Sequence, residues 1–166
     1  MVGIGDPLRG DDGAGPAVIE RLRRRSLPGV RLETHWGEGA SLMALWQSHR
    51  QVILVDAMAS GAPPGTLRWF GPENLPGSGT FPYSTHRFGL AEALQLAAVL
   101  GELPEEVRVL GIEGRAFEGG GALSPEVERA VEQACASISE MLPRLACFRA
   151  AKINTVPRAA PRNASR

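Results

Sequence analysis

The sequence predicts an α/β fold: a three-layer sandwich in which a twisted, mostly parallel sheet of about five strands carries helices on both faces. Three observations lead there. Strand-like and helix-like segments alternate in the order β-α-β-α-β-β-α-β-α, the order that layers helices over a parallel sheet. Two segments, "QVILVDAM" at 51–58 and "VRVLGIEG" at 107–114, are apolar almost throughout, as strands covered on both faces are. The glycine-rich stretch "GIGDPLRGDDGAG" at 3–15 follows the first short apolar run, where a strand gives way to a helix.

Each element has its own reason. Residues 1–5 are a brief apolar run ending in glycine, the tail of a buried strand. Residues 14–25 set Val18, Ile19 and Leu22 on one side and arginines on the other, an amphipathic helix. Residues 30–36 alternate as a strand. Residues 41–48 place Leu42, Leu45 and Trp46 at helical spacing. After the strand at 51–58, "SGAPPGT" turns the chain into a short strand at 66–70. That connection is too short for a helical crossover, so this strand is expected antiparallel beside its predecessor. A Pro/Gly-rich loop at 71–85 leads to a helix over 88–100, followed by the strand at 107–114. The last helix opens with Ser124 as N-cap and Pro125 at its first position. Its apolar stripe runs through Val127, Val131, Ala134, Ile138, Met141 and Leu142.

Composition sets the class. With 166 residues, 43% hydrophobic and 22% charged, the chain fits one globular domain, expected over residues 1–146. Beyond Cys147 stand Arg149, Lys152, Arg158, Arg162 and Arg166 with no acid, so residues 147–166 read as a basic, disordered tail. All 18 acidic residues lie before it, and an acidic body argues against a nucleic-acid partner. No run is long enough to span a bilayer, and no secretory leader is visible. Cys135 and Cys147 form no Cys-x-x-Cys pattern and read as idle thiols. A cytoplasmic protein without membrane insertion is expected.

The glycine loop fits both nucleotide-binding patterns weakly. A dinucleotide fingerprint needs a third glycine where Leu8 stands, and no Gly-Lys-Ser/Thr closes a P-loop. Asp11 and Asp12 would repel a pyrophosphate at that helix mouth, so no nucleotide cofactor is expected. The plainer reading, that the pair complements the helix dipole, accounts for up to ~1 kcal/mol. It leaves unexplained why Gly10 and Gly13 bracket the pair. Asp56 ends the strongest strand at the edge where open α/β sheets hold ligands, although a lone aspartate there also suits a turn. His86, in "YSTHRFGLAEAL", precedes a helix whose dipole disfavours the imidazolium and keeps the ring able to ligate. His35 and His49 read as structural or solvated. Carboxylates with one imidazole form an oxygen/nitrogen set suited to nickel, zinc or iron(II), and too poor in thiolate for structural zinc.

These residues lie in segments that resemble the hydrogenase maturation proteases. "GIGDPLRGDDGAGPAV", "GEGASLMALW", "VILVDAMASGAPPGTLRWF", "STHRFGLAEAL" and "GIEG…LSPEV" match in that order, from Gly3 to about Val131. The resemblance implies an endopeptidase that removes a C-terminal extension from the large-subunit precursor of a nickel–iron hydrogenase once nickel is in place. That precursor would be the partner, and its nickel the recognition motif. The positions matching the family's metal-contacting residues are Asp12, Asp56 and His86, with Asp11 as support. Relatives often carry asparagine in place of Asp6 and glutamate in place of Asp12, and they have a longer first strand. The expected chemistry is hydrolysis aided by the metal, with Asp11 or Asp12 accepting the proton. No serine or cysteine stands with a histidine and an acid in a pattern that would support acyl transfer. Specificity is expected in residues 37–40 and 71–85. The rival expectations are a nickel-sensing assembly chaperone that does not cut, and a small metal-dependent aminopeptidase.

Overall fold

The computed structural model describes residues 1–77, 80, 89–118 and 120–153, with side chains through residue 143. Two units divide the chain, Met1–Cys135 and Ala136–Arg166. The first contains one five-stranded sheet: β1 (Val2–Ile4), β2 (Glu33–His35), β3 (Gln51–Met58), β4 (Leu67–Phe70) and β5 (Glu106–Glu113). Across the sheet the order is β2-β1-β3-β5-β4. Helices α1 (Ala14–Arg23), α2 (Gly39–Trp46) and α3 (Leu90–Leu100) connect the strands, and α4 (Pro125–Ile153) follows.

The continuous aliphatic runs form the centre. β3 pairs with β5 in parallel over its whole length, from Gln51 opposite Glu106 to Met58 opposite Glu113. On its other side β3 pairs in parallel with β1, and β1 in turn with β2. One face of the sheet packs Val2, Ile4, Val52, Leu54 and Met58 into a core with Leu42 and Trp46 of α2 and Leu90, Leu94 and Ala97 of α3. The amphipathic stripe of α1, Val18, Ile19 and Leu22, is wholly buried, as are Val127, Val131 and Ala134 at the start of α4. The Cys135 thiol donates to the Val18 carbonyl at 3.7 Å, and Arg21 pairs with both Glu128 and Glu132, joining α1 to that first part of α4. Burying one aliphatic side chain stabilises by about 1.5–3 kcal/mol, so these stripes hold the helices to the sheet.

β4 is antiparallel as expected, but it lies beside β5 and not beside β3. Both flanks of β3 are already taken by parallel partners, so the short returning strand finds its hydrogen bonds on the outer edge of β5. The start of α2 also differs. The Glu38 carboxylate accepts from the N–H groups of Ala40 and Ser41 at 2.9 and 2.8 Å, and so caps a helix beginning at Gly39. Ser124 does occupy the position before α4, with its carbonyl accepting from Glu128 N–H at 2.8 Å. Its hydroxyl, however, turns away from the helix and donates to Asp11 at 3.0 Å. The expected helix start at Phe88 lies outside the described residues.

In the second unit α4 continues to Ile153, past the end expected near residue 145 and past Cys147. Pro143 lies inside it and removes one main-chain donor. Residues 154–166 lie outside the described residues. Among the described residues no helix is long and apolar enough to cross a membrane.

Candidate active site

Because β1 and β3 run parallel, the loop leaving β1 and the end of β3 meet at one edge of the sheet. The chain leaves β1 through Gly5 at a φ of 126°, where a Cβ would stand 1.9 Å from the Asp12 carbonyl oxygen. Only glycine allows the 3-10 turn Gly10–Gly13 to fold back so closely. Of the two glycines bracketing the aspartates, Gly10 needs its freedom, with a φ of 57° and the Ala116 carbonyl 2.5 Å from where a Cβ would be. Gly13 has an ordinary helical φ of −72°.

Four carboxylates are buried in this first unit: Asp11, Asp12, Asp56 and Glu113, at 0, 6, 4 and 2% exposure. Buried charges must be compensated or they give up their charge, and the four are treated in two ways. Asp11 Oδ2 accepts from the N–H groups of Arg115 and Ala116 at 2.8 and 2.9 Å and from the Ser124 hydroxyl at 3.0 Å. Its Oδ1 accepts from Ser124 N–H at 2.6 Å, and its own N–H donates to the Ala116 carbonyl at 2.8 Å. Burial works against its charge, but the bonds from Ser124, Ala116 and Arg115 outweigh it and hold the carboxyl below its ordinary range. Glu113 is served similarly by Ser60 N–H (3.1 Å), the Ser60 hydroxyl (2.8 Å) and Gly61 N–H (2.8 Å), which fastens the loop after β3.

Asp12 and Asp56 are treated otherwise. Burial raises the Asp12 carboxyl pKa, with the Asp6 charge acting in the same direction; the Asp6 N–H, donating to Asp12 Oδ2 at 3.0 Å, and the charge of Arg9 only partly offset this. Burial drives the Asp56 pKa well above the carboxylate range. The Asp12 charge adds to that, and the Ala57 N–H only partly opposes it. Asp56 therefore lies within electrostatic reach of the Asp12 charge in a dry setting, where a like charge favours the protonated carboxyl. Alternation along β3 puts Asp56 on the same face as Leu54 and Met58, and the strand end holds it rigidly opposite Gly111 of β5.

The structure thus brings two of the expected site residues, Asp12 and Asp56, to the same edge of the sheet and within electrostatic reach of each other. Asp11 instead serves the fold. With both oxygens engaged, it ties the turn Gly10–Gly13 to residues 115, 116 and 124. His86 lies outside the described residues, as do residues 78–79 and 81–85 of the expected specificity loop. Among the described residues no three histidine, cysteine or acidic side chains are grouped as metal ligands. The histidines read as structural do make local bonds. His35 Nδ1 accepts from Gly37 N–H at 3.0 Å with Ser41 Oγ 3.0 Å from Nε2, and His49 Nδ1 lies 3.1 Å from the Leu45 carbonyl. Glu113 was missed as a brace: inside "GIEG" it looks like a strand end. Its one signal is an acid closing an otherwise buried run, the pattern that drew attention to Asp56.

An open α/β sheet with a buried acidic pair at the carboxyl ends of its strands is laid out as an enzyme of the α/β class, with its crevice where such folds bind ligands. Comparison with known proteins makes this specific. Residues 17–141 match the sequence model of the HycI hydrogenase maturation proteases, and the chain belongs to that family of peptidases. Among curated proteins it is 33% identical to the hydrogenase expression/formation protein HoxM of Cupriavidus necator, over 94% of this chain and 83% of that protein. It is 28% identical to the Hydrogenase 2 maturation protease of Escherichia coli, over 96% of each chain. Among solved structures, the hydrogenase maturating endopeptidase HybD of E. coli superposes with a TM-score of 0.73 at 27% identity, over 86% of this chain and 90% of the other.

Proposed function

We propose that this peptidase removes a C-terminal extension from the nickel-loaded precursor of a nickel–iron hydrogenase large subunit, and that Asp12, Asp56 and His86 take hold of the nickel carried by that substrate. Family membership supports a hydrogenase precursor as partner. The observation that carries the reading is the neighbouring pair Asp12 and Asp56, buried together with their proton affinity raised. Such a pair gains from a divalent cation what it lacks from the protein, and carboxylate oxygens with one imidazole nitrogen are donors that nickel(II) accepts.

Substrate nickel supplies Lewis-acid polarisation of a carbonyl and acidifies a water molecule. The chain supplies the rest. Asp56, on a strand paired on both sides, is a fixed ligand. Asp12, steadied through Oδ2 by Asp6 N–H, has a raised pKa that suits proton transfer nearer neutrality. Water oxygen bonds to the scissile carbonyl carbon while its proton passes to Asp12. The C–N bond then breaks, and the same proton moves to the departing amine.

The test uses nickel-loaded precursor with the parent protein and its Asp12→Ala, Asp56→Ala and His86→Ala variants. Mass spectrometry should show loss of the extension with the parent and a rate at least about 100-fold lower with each variant. Precursor without nickel should stay intact. Variants that process as fast as the parent would overturn the site, and a precursor bound but never shortened would point to a chaperone.

A further inference from the structure

The large apolar side chains exposed on the described surface are few and grouped. Leu96, Val99 and Leu100 share α3, while Leu8 and Trp36 stand on the two loops that leave β1 and β2. Leu8 is 73% exposed and Trp36 63%. Both loops exit the same edge of the sheet, since Ile4 is in register with His35 and Gly5 N–H donates to the His35 carbonyl at 3.0 Å. That is the edge where Asp12 and Asp56 lie.

Neither exposure comes from a loose chain. Leu8 N–H donates to the Asp6 carboxylate at 2.8 Å and Arg9 N–H to the Asp6 carbonyl at 3.1 Å, while Asp6 N–H is bonded to Asp12 itself. Leu8 is therefore carried on a turn built onto the acidic pair. Trp36 sits between His35, whose ring accepts from Gly37 N–H, and Glu38, whose carboxylate caps α2. Two hydrogen-bonded turns thus hold a leucine and a tryptophan in water at the edge of the sheet where the turn bearing Asp12, Gly10 to Ala14, is buried. A polypeptide that reaches Asp12 and Asp56 from the β2 side of the sheet passes over that rim, and the side chains there become part of its binding surface.

We infer that Leu8 and Trp36 are apolar anchors for the precursor polypeptide, gripping apolar side chains of an extended stretch that runs across the carboxyl edge to the bond being cut. This rests on the function proposed above and adds two residues that contact substrate without touching its metal. Uniform binding of this kind lowers KM and leaves kcat alone. Trp36→Ser should raise KM for nickel-loaded precursor by about 30-fold, the size of an aromatic hot spot, and Leu8→Ser by about tenfold. Val99→Ser, an exposed apolar residue on α3, is the control and should leave both parameters at parent values. Both anchor variants should keep the parent melting temperature, because neither side chain is buried. A reading independent of cleavage comes from tryptophan emission. With Trp46 and Trp69 replaced by phenylalanine and Asp56 by asparagine, emission from Trp36 should shift to the blue when precursor is added. Unchanged KM in the variants, or a changed oligomeric state with unchanged KM, would overturn the anchors while leaving the function standing. A parent protein that neither cuts nor binds the precursor would overturn both.

Discussion

Asp11 and Asp12 are neighbours in the chain, both buried and chemically identical, yet the fold moves their proton affinities in opposite directions. The Asp11 oxygens receive main-chain and hydroxyl donors from residues more than a hundred positions away. Asp12 receives the Asp6 N–H, and its charge in turn raises the proton affinity of Asp56. By its bonds from Ser60 and Gly61, Glu113 is a brace as Asp11 is, whereas Asp56 shares with Asp12 a raised proton affinity. One region uses carboxylates as braces and satisfies them, while in the other burial outweighs the bonds the carboxylates receive. Satisfying a buried charge stabilises a fold, whereas leaving it in need costs stability and creates a place for chemistry.

The widest test of that contrast is to neutralise one carboxylate from each region. Asp56→Asn should abolish processing while raising the stability of the protein in chelator by about 1 kcal/mol at pH 7, a gain in melting temperature of roughly 2–4 °C. Asp11→Ala should do the reverse to the fold. It strands the donors of Arg115, Ala116 and Ser124 in a buried place and should cost about 3 kcal/mol in urea unfolding. If both replacements moved stability in the same direction, the distinction between brace and site would collapse.

The pH dependence sharpens the contrast. The folded chain keeps Asp11 ionised at lower pH than the unfolded chain does. Its contribution is complete above the ordinary carboxylate pKa of about 3.9 and drains away as pH falls through the lower folded value. Asp56 has the opposite sign. Its proton is held more tightly in the fold, so stability declines as pH rises from that ordinary value towards the raised one. Melting temperatures in chelator across this range should show Asp56→Asn flattening the decline on the alkaline side and Asp11→Asn flattening the loss on the acid side. The smallest effect is expected from Glu113→Gln. It keeps one acceptor for Ser60 and Gly61 and should lower stability by about 1 kcal/mol, with the rate of processing little changed.

The contrast also marks what can be read from a sequence. The strands at 51–58 and 106–113 announce themselves, because a run largely buried on both faces is apolar at most positions. The strand at 67–70 announces its direction through its short connection, but not its neighbour. Adjacency was decided by β1 and β5, which occupy both flanks of β3 and leave the short strand the outer edge of β5. In the site, Asp12 and Asp56 stand out by position, one in a glycine-bracketed turn and one at a strand end. Which of the adjacent aspartates is the brace was not legible, because the answer lies in Arg115, Ala116 and Ser124. Glu38 escaped notice as a cap for a similar reason: glutamate is not among the usual capping residues, and two glycines around it suggest a loop.

The Asp11 brace also bears on how the protein is made. The bonds from Ser124 span 113 positions and those from Arg115 span 104. Contacts so distant along a chain form late, after the loop between them has closed. A nascent polypeptide that has emerged only through β3 already contains Asp12 and Asp56, yet it lacks residues 115, 116 and 124, whose bonds to Asp11 brace the turn that presents Asp12. The turn is fully braced only when the start of the last helix has left the ribosome and reached Asp11, so a shortened translation product should be inert towards precursor.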